Sequence, residues 1–205
     1  MFGFFEKKKV GGMIAYYDLQ NWWLNSFTSQ EQGYIIKKFQ PLGTGDSNDL
    51  ITGSISRCSQ SVISFLQSLS GWFNNRQNRE LAMKILNKAE ELSMLRVEST
   101  MGNLTEEEAD IILDKHFLYH QIIKTYYPER NSKPGALEKA MDACQKQIAL
   151  APLAAKAFRK KWKESSLPAH TGYDQLVIIL KKQHKLEEAA ALCQEASKEG
   201  WAGWA

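Results

Sequence analysis

The chain has 205 residues, 43% hydrophobic and 24% charged, an ordinary globular balance with material for one sizeable core or two small ones. Its formal net charge is +3, with 12 Lys and Arg against 8 Asp and Glu in residues 131–205, a modest excess beside the strongly basic face of a dedicated DNA binder. Thirteen glycines and five prolines are too few for the turns of an all-β protein, three scattered cysteines argue against a disulfide framework or zinc ribbon, and no apolar run reaches a membrane span.

At the N-terminus, "MFGFFEKKKVGG" carries its basic run after the apolar residues, the reverse of a secretory signal. A short interfacial membrane anchor is one reading of it, and a packed or disordered start is the other. The rings of Tyr16, Tyr17, Trp22, Trp23 and Phe27 suit the core of an N-terminal helix pair better than a platform for bases. Thr28 with Glu31 spells a capping box and predicts a helix from about Ser29 to Phe39, which Pro41 stops. "QPLGTGDSND" is the clearest linker, dividing an aromatic-rich extension, residues 1–50, from a helical domain, residues 54–205.

Beyond it, Val62, Phe65, Leu66, Leu69, Trp72 and Phe73 recur at helical spacing, and Asn75 or Asn78 is placed to cap a second helix, "RELAMKILNKAEELSML". After the loop "ESTMGN", Thr105 and Glu108 form another capping box, acids fill the first turn, and a long helix runs to Pro128. "NSKPGALEKAMDACQKQIALAP" predicts a helix ending near Pro152, followed by a short "LAAKAFRKKWK" segment. Two more helices, "HTGYDQLVIILKKQ" and "KLEEAAALCQEASKEG", break at Gln183 to Lys185.

These helix pairs share an internal spacing. Tyr173, Leu176, Val177, Leu180, Ala189, Cys193 and Ala196 in the last pair stand at the separations of Leu66, Leu69, Ser70, Phe73, Ala82, Leu86 and Ala89 in the first. The middle pair offers Tyr119, Ile122, Ile123 and Tyr126, then, after a longer turn, Ala140, Cys144 and Pro152. From Val62 to Gly200 the spacing resembles the tetratricopeptide repeat, with divergent and interrupted units. That resemblance implies an all-α fold of stacked antiparallel hairpins, a tetratricopeptide-like solenoid. Small residues such as Ala189 then fit a close helix contact, because a larger side chain would hold the axes apart. The two tryptophans of the terminal "GWAGWA" are expected to cover the end of the last hairpin.

The same resemblance implies a non-catalytic adaptor holding a partner's peptide segment in a concave groove. The first helix of each unit would line that groove with Gln67, Asn74, His120, Lys124, Tyr127, Asp174, Ile178, Lys181 and Lys182. Lysines beside Asn, His and Tyr suit an acidic or carboxylate-bearing peptide. Two rival readings remain. Lysines around "FRKKWK", with Trp162 as a stacking ring, suggest nucleic acid, although a solvated charged face is the commoner outcome. His116 and His120 stand one helical turn apart, a chelating separation, with Asp110 and Asp114 upstream, but no HExxH motif accompanies them. Cys144 and Cys193 fall at packing positions and read as apolar filler. No metal or cofactor is called for, and the unpaired thiols point to a reducing cytoplasm.

Overall fold

Helix starts are set locally, and both capping boxes form: Thr28 and Thr105 each accept from the backbone N–H three residues on, while Glu31 and Glu108 reach back to the cap N–H. The computed structural model describes residues 10–41, 47–94, 104–163 and 166–204. The N-terminal anchor reading, the middle of the linker and the "ESTMGN" loop lie outside the described residues. Within them are nine helices: α1 (Gly12–Tyr16), α2 (Gln20–Ser26), α3 (Ser29–Lys38), α4 (Val62–Gly71), α5 (Arg79–Met94), α6 (Glu106–Tyr126), α7 (Ala136–Lys161), α8 (Thr171–Lys182) and α9 (Leu186–Glu199). Two short strands, β1 (Leu167–Ala169) and β2 (Trp201–Ala202), accompany them. No helix among the described residues is long and apolar enough to cross a membrane. The chain divides into two compact units, Met1–Phe65 and Leu66–Ala205, so the division falls inside α4 and not at the linker.

In the first unit, three short helices stand where the aromatic run suggests a pair. Their core joins rings to Ile14, Leu19, Ile35 and Leu50: Tyr17 stacks on Phe65 at 5.0 Å, and Trp22 and Trp23 each lie 5.2 Å from Phe27. The backbone closes tightly at Gly11 and Gly12, whose N–H groups donate to the carbonyls of Ile51 and Gly53 at 2.6 and 3.0 Å. Gly12 has φ +58, and a Cβ there would stand 2.3 Å from the Asp49 carbonyl oxygen, so two conditions demand glycine at once.

The second unit is built on α6 and α7, which run antiparallel: Lys160 and Lys161 at the end of α7 meet Glu106 at the start of α6, and Lys161 also meets Asp110. Expected to stop at Pro152, α7 instead continues through it to Lys161, 26 residues in all. Pro152 is exposed, while Ala143, Ala151, Ala154, Ala155 and Ala157 are buried, so a long alanine face holds the helix together despite the missing N–H donor. α8 and α9 form a hairpin turning at Gln183–Lys185, with His184 at φ 60. Gly172 lets α8 approach α7 closely, since a Cβ there would meet the Cys144 carbonyl at 3.0 Å.

Ala82, Ala140 and Ala189, the matched small residues of the three pairs, are all buried. Gln67 and Ser70 of α4 bond to Asp114 and Gln121 of α6. Asn75, and not Asn78, organises the turn before α5 by accepting from two backbone N–H groups. The strand pair is absent from the sequence reading; β1 and β2 lie parallel, with Leu167 opposite Trp201.

Candidate functional site

Helical spacing places His120, Lys124 and Tyr127 on one face of α6 and its end, and Asp174, Ile178, Lys181 and Lys182 on one face of α8. Packing brings the two faces together. Thr171, the first residue of α8, holds its hydroxyl 2.7 Å from His120 Nδ1, and Lys182 Nζ donates to the Tyr127 hydroxyl at 3.3 Å. The Arg130 guanidinium lies 4.4 Å from the centre of the Tyr127 ring and donates to the Tyr127 carbonyl, giving the ring two cationic neighbours. Between the helices, Lys124 acts on both His120 and Asp174. Burial lowers the His120 pKa and Lys124 adds to that, so the imidazole is neutral at pH 7; partial burial raises the Asp174 carboxyl, against the pull of Lys124. Ile178 is 45% exposed beside them and adds an apolar contact surface.

The remaining predicted groove residues go elsewhere. Gln67 is only 6% exposed and donates its amide to the Asp114 carbonyl at 2.9 Å, so it braces α4 against α6 and is withdrawn from solvent. Asn74, just after α4, is half-buried, with its Oδ1 enclosed and unpartnered. Arg130 and Thr171 join the face without having been foreseen. Their signals were weak: an arginine after the helix-ending proline, and a threonine hidden behind the cap residue His170.

The histidine pair of α6 divides between two settings. His116 is buried and stacks on Trp201, rings 7° from parallel with centroids 5.7 Å apart, whereas His120 turns to Thr171. Among the described residues, no group of three or more His, Cys, Asp or Glu side chains is arranged to hold a metal ion. Asp110 is engaged by Lys161.

Much of the basic excess is internally matched. Lys133 meets Glu80, Lys139 and Lys146 converge on the buried Glu90, Lys160 and Lys161 meet Glu106, and Lys185 meets Glu188. Trp162 is half exposed and tilts against Phe158. Burial pushes the Cys144 thiol up to about 12, which fits filler and not a nucleophile; Cys58 and Cys193 are partly exposed. Comparison with family models, curated proteins and solved structures returns no match.

Proposed function

We propose that the chain is a non-catalytic protein-interaction module, built as divergent tetratricopeptide-like hairpins, that binds an acidic peptide segment across the α6–α8 face. The observation that carries this reading is the joining of Arg130 and Lys182 at Tyr127, with Lys124 acting on His120 and Asp174 on the same face and Ile178 exposed. Such a face offers charge-assisted bonds to carboxylates and a ring and an aliphatic side chain for neighbouring apolar residues. Buried Ala140 and Ala189, on helices that pack closely on their predecessors, support the repeat reading; α5, which packs closely on α6 and not on α4, and the uninterrupted α7 depart from it. Internal matching of Lys133, Lys139, Lys146, Lys160, Lys161 and Lys185 weighs against nucleic acid, and three unpaired thiols support a cytoplasmic setting.

The test uses a pool of Asp- and Glu-rich peptides and a Lys-rich pool of equal length, with affinity read at two salt concentrations. Acidic peptides are expected to bind, more weakly at higher salt, and Lys124→Glu with Lys182→Glu is expected to lower affinity at least tenfold, about 1.4 kcal/mol. Equal binding by the double variant, or no preference between the pools, contradicts the assignment.

A further inference from the structure

Three of the chain's four histidines gather beside the middle of α6: His116 and His120 on the helix, and His170 at the start of α8. His116 and His170 are buried with ring centroids 5.1 Å apart, and Trp201 of β2 covers both, stacked on His116 and 4.6 Å from His170. Phe158 closes the side, 5.4 Å from His116 and 5.9 Å from Trp201.

Each buried imidazole has one ring nitrogen facing an N–H donor. His170 caps α8, its Nδ1 accepting from the Tyr173 N–H, so its ring hydrogen sits on Nε2 and a further proton must displace the cap. His116 Nε2 faces the Gln147 amide nitrogen at 3.5 Å, and that amide also donates to the His116 carbonyl at 2.9 Å. Turning the amide over would aim Oε1 at a carbonyl oxygen, so Gln147 cannot become an acceptor for a protonated ring. Protonation of His116 therefore sets donor against donor at Gln147, and protonation of His170 at Nδ1 displaces its cap; at His170 the backbone of Gln147 and of His170 itself favours the charged ring, but burial outweighs it.

Among the described residues, no carboxylate acts on either ring to offset this. The charges acting on His116 are His170 and His120, the charge acting on His170 is His120, and Lys124 of α6 acts on His120. From α9, Glu195 and Glu199 act on the Tyr173 hydroxyl, and Glu199 also takes the Trp201 indole N–H at 2.8 Å. Asp174 of α8 answers to Lys124, and α7 presents the neutral Gln147.

We propose that the C-terminal tail, Trp201–Trp204, is an acid-released cover: proton uptake by His116 and His170 lifts Trp201 from the cluster and frees the first turn of α8. The cover is held by the short β1–β2 pairing, the packing of Trp201 and its indole bond to Glu199, with Trp204 partly buried against the same core. Burial holds His116 down to about 3 and His170 to about 4 when closed, whereas an open imidazole returns toward 6.5. Because the open form binds more protons between these values, closure is full above about pH 6.5 and weakens as pH falls toward 4.

Hydrogen exchange read by mass spectrometry on the full chain, corrected for intrinsic rates, tests this at pH 7.5 and 5.0. Each imidazole contributes about thirtyfold to the opening constant over that range, so the peptide containing Trp201 is expected to open several hundredfold more often at pH 5.0. His170→Asn keeps a capping acceptor but does not titrate, and alone it should reduce the rise to about thirtyfold; adding His116→Gln should abolish it. A rise that persists undiminished in the double variant, or no rise in the wild type, overturns the proposal. If the double variant does not fold, the wild type decides: tail amides opening ahead of α5 amides at pH 5.0 support the cover, and opening in step with them overturns it.

Discussion

The two units solve helix packing in opposite ways. In the first, helices of 5 to 10 residues bury large rings, Trp23, Phe27 and Phe65 among them, and the backbone itself is pressed close at Gly11 and Gly12. In the second, helices of 21 and 26 residues meet along buried alanines and Cys144. Short helices offer few contact positions, so each must remove much apolar area from water; long helices have many, and gain by letting their axes approach.

The contrast is broken most severely at Gly12. Gly12→Ala places a Cβ at positive φ and into the Asp49 carbonyl, and is expected to cost about 3–5 kcal/mol, seen as a lower midpoint in urea unfolding or as failure to fold. A cost below about 1 kcal/mol would show that this backbone approach is loose. Gly172→Ala asks the same of the second unit at ordinary φ: its Cβ would meet the Cys144 carbonyl and the Gln147 amide oxygen, both at 3.0 Å, and about 1–3 kcal/mol is expected.

The capping boxes sharpen the comparison, because one motif stands in both units. Thr28→Ala and Thr105→Ala should each cost about 1 kcal/mol by thermal unfolding, and the serine variants should restore most of it. Thiol reactivity gives the mildest effect. At pH 8 an alkylating reagent should modify Cys58 and Cys193 well before Cys144, whose thiol is buried and held neutral. Labelling of Cys144 at a similar rate would mean that the α7–α8 contact opens readily.

What was legible in the sequence was local. Thr28 with Glu31 and Thr105 with Glu108 announce helix starts within four residues, and the turn at Gln183–Lys185 is marked by the break between two periodic runs. Pro152 misleads because a proline inside a helix costs one hydrogen bond and a local clash, whereas the buried alanines that outweigh it are recognisable only once α6 lies beside them. The strands hold three and two residues, too few for any alternation to register. The α6–α8 face was legible in part, through the lysines and Tyr127, but Gln67 lost its place because a side chain's exposure depends on the helix packed over it. His116, His170 and Trp201 meet across more than eighty positions of sequence, and no local pattern signals that meeting.

The close contact of paired helices through small residues is tested most directly on α9, where Ala189 is buried and its neighbour Ala190 is exposed. Urea unfolding of Ala189→Leu should show a loss of about 1–3 kcal/mol, while Ala190→Leu stays within about 0.5 kcal/mol of wild type. Equal losses in the two variants, or none in the first, would contradict it.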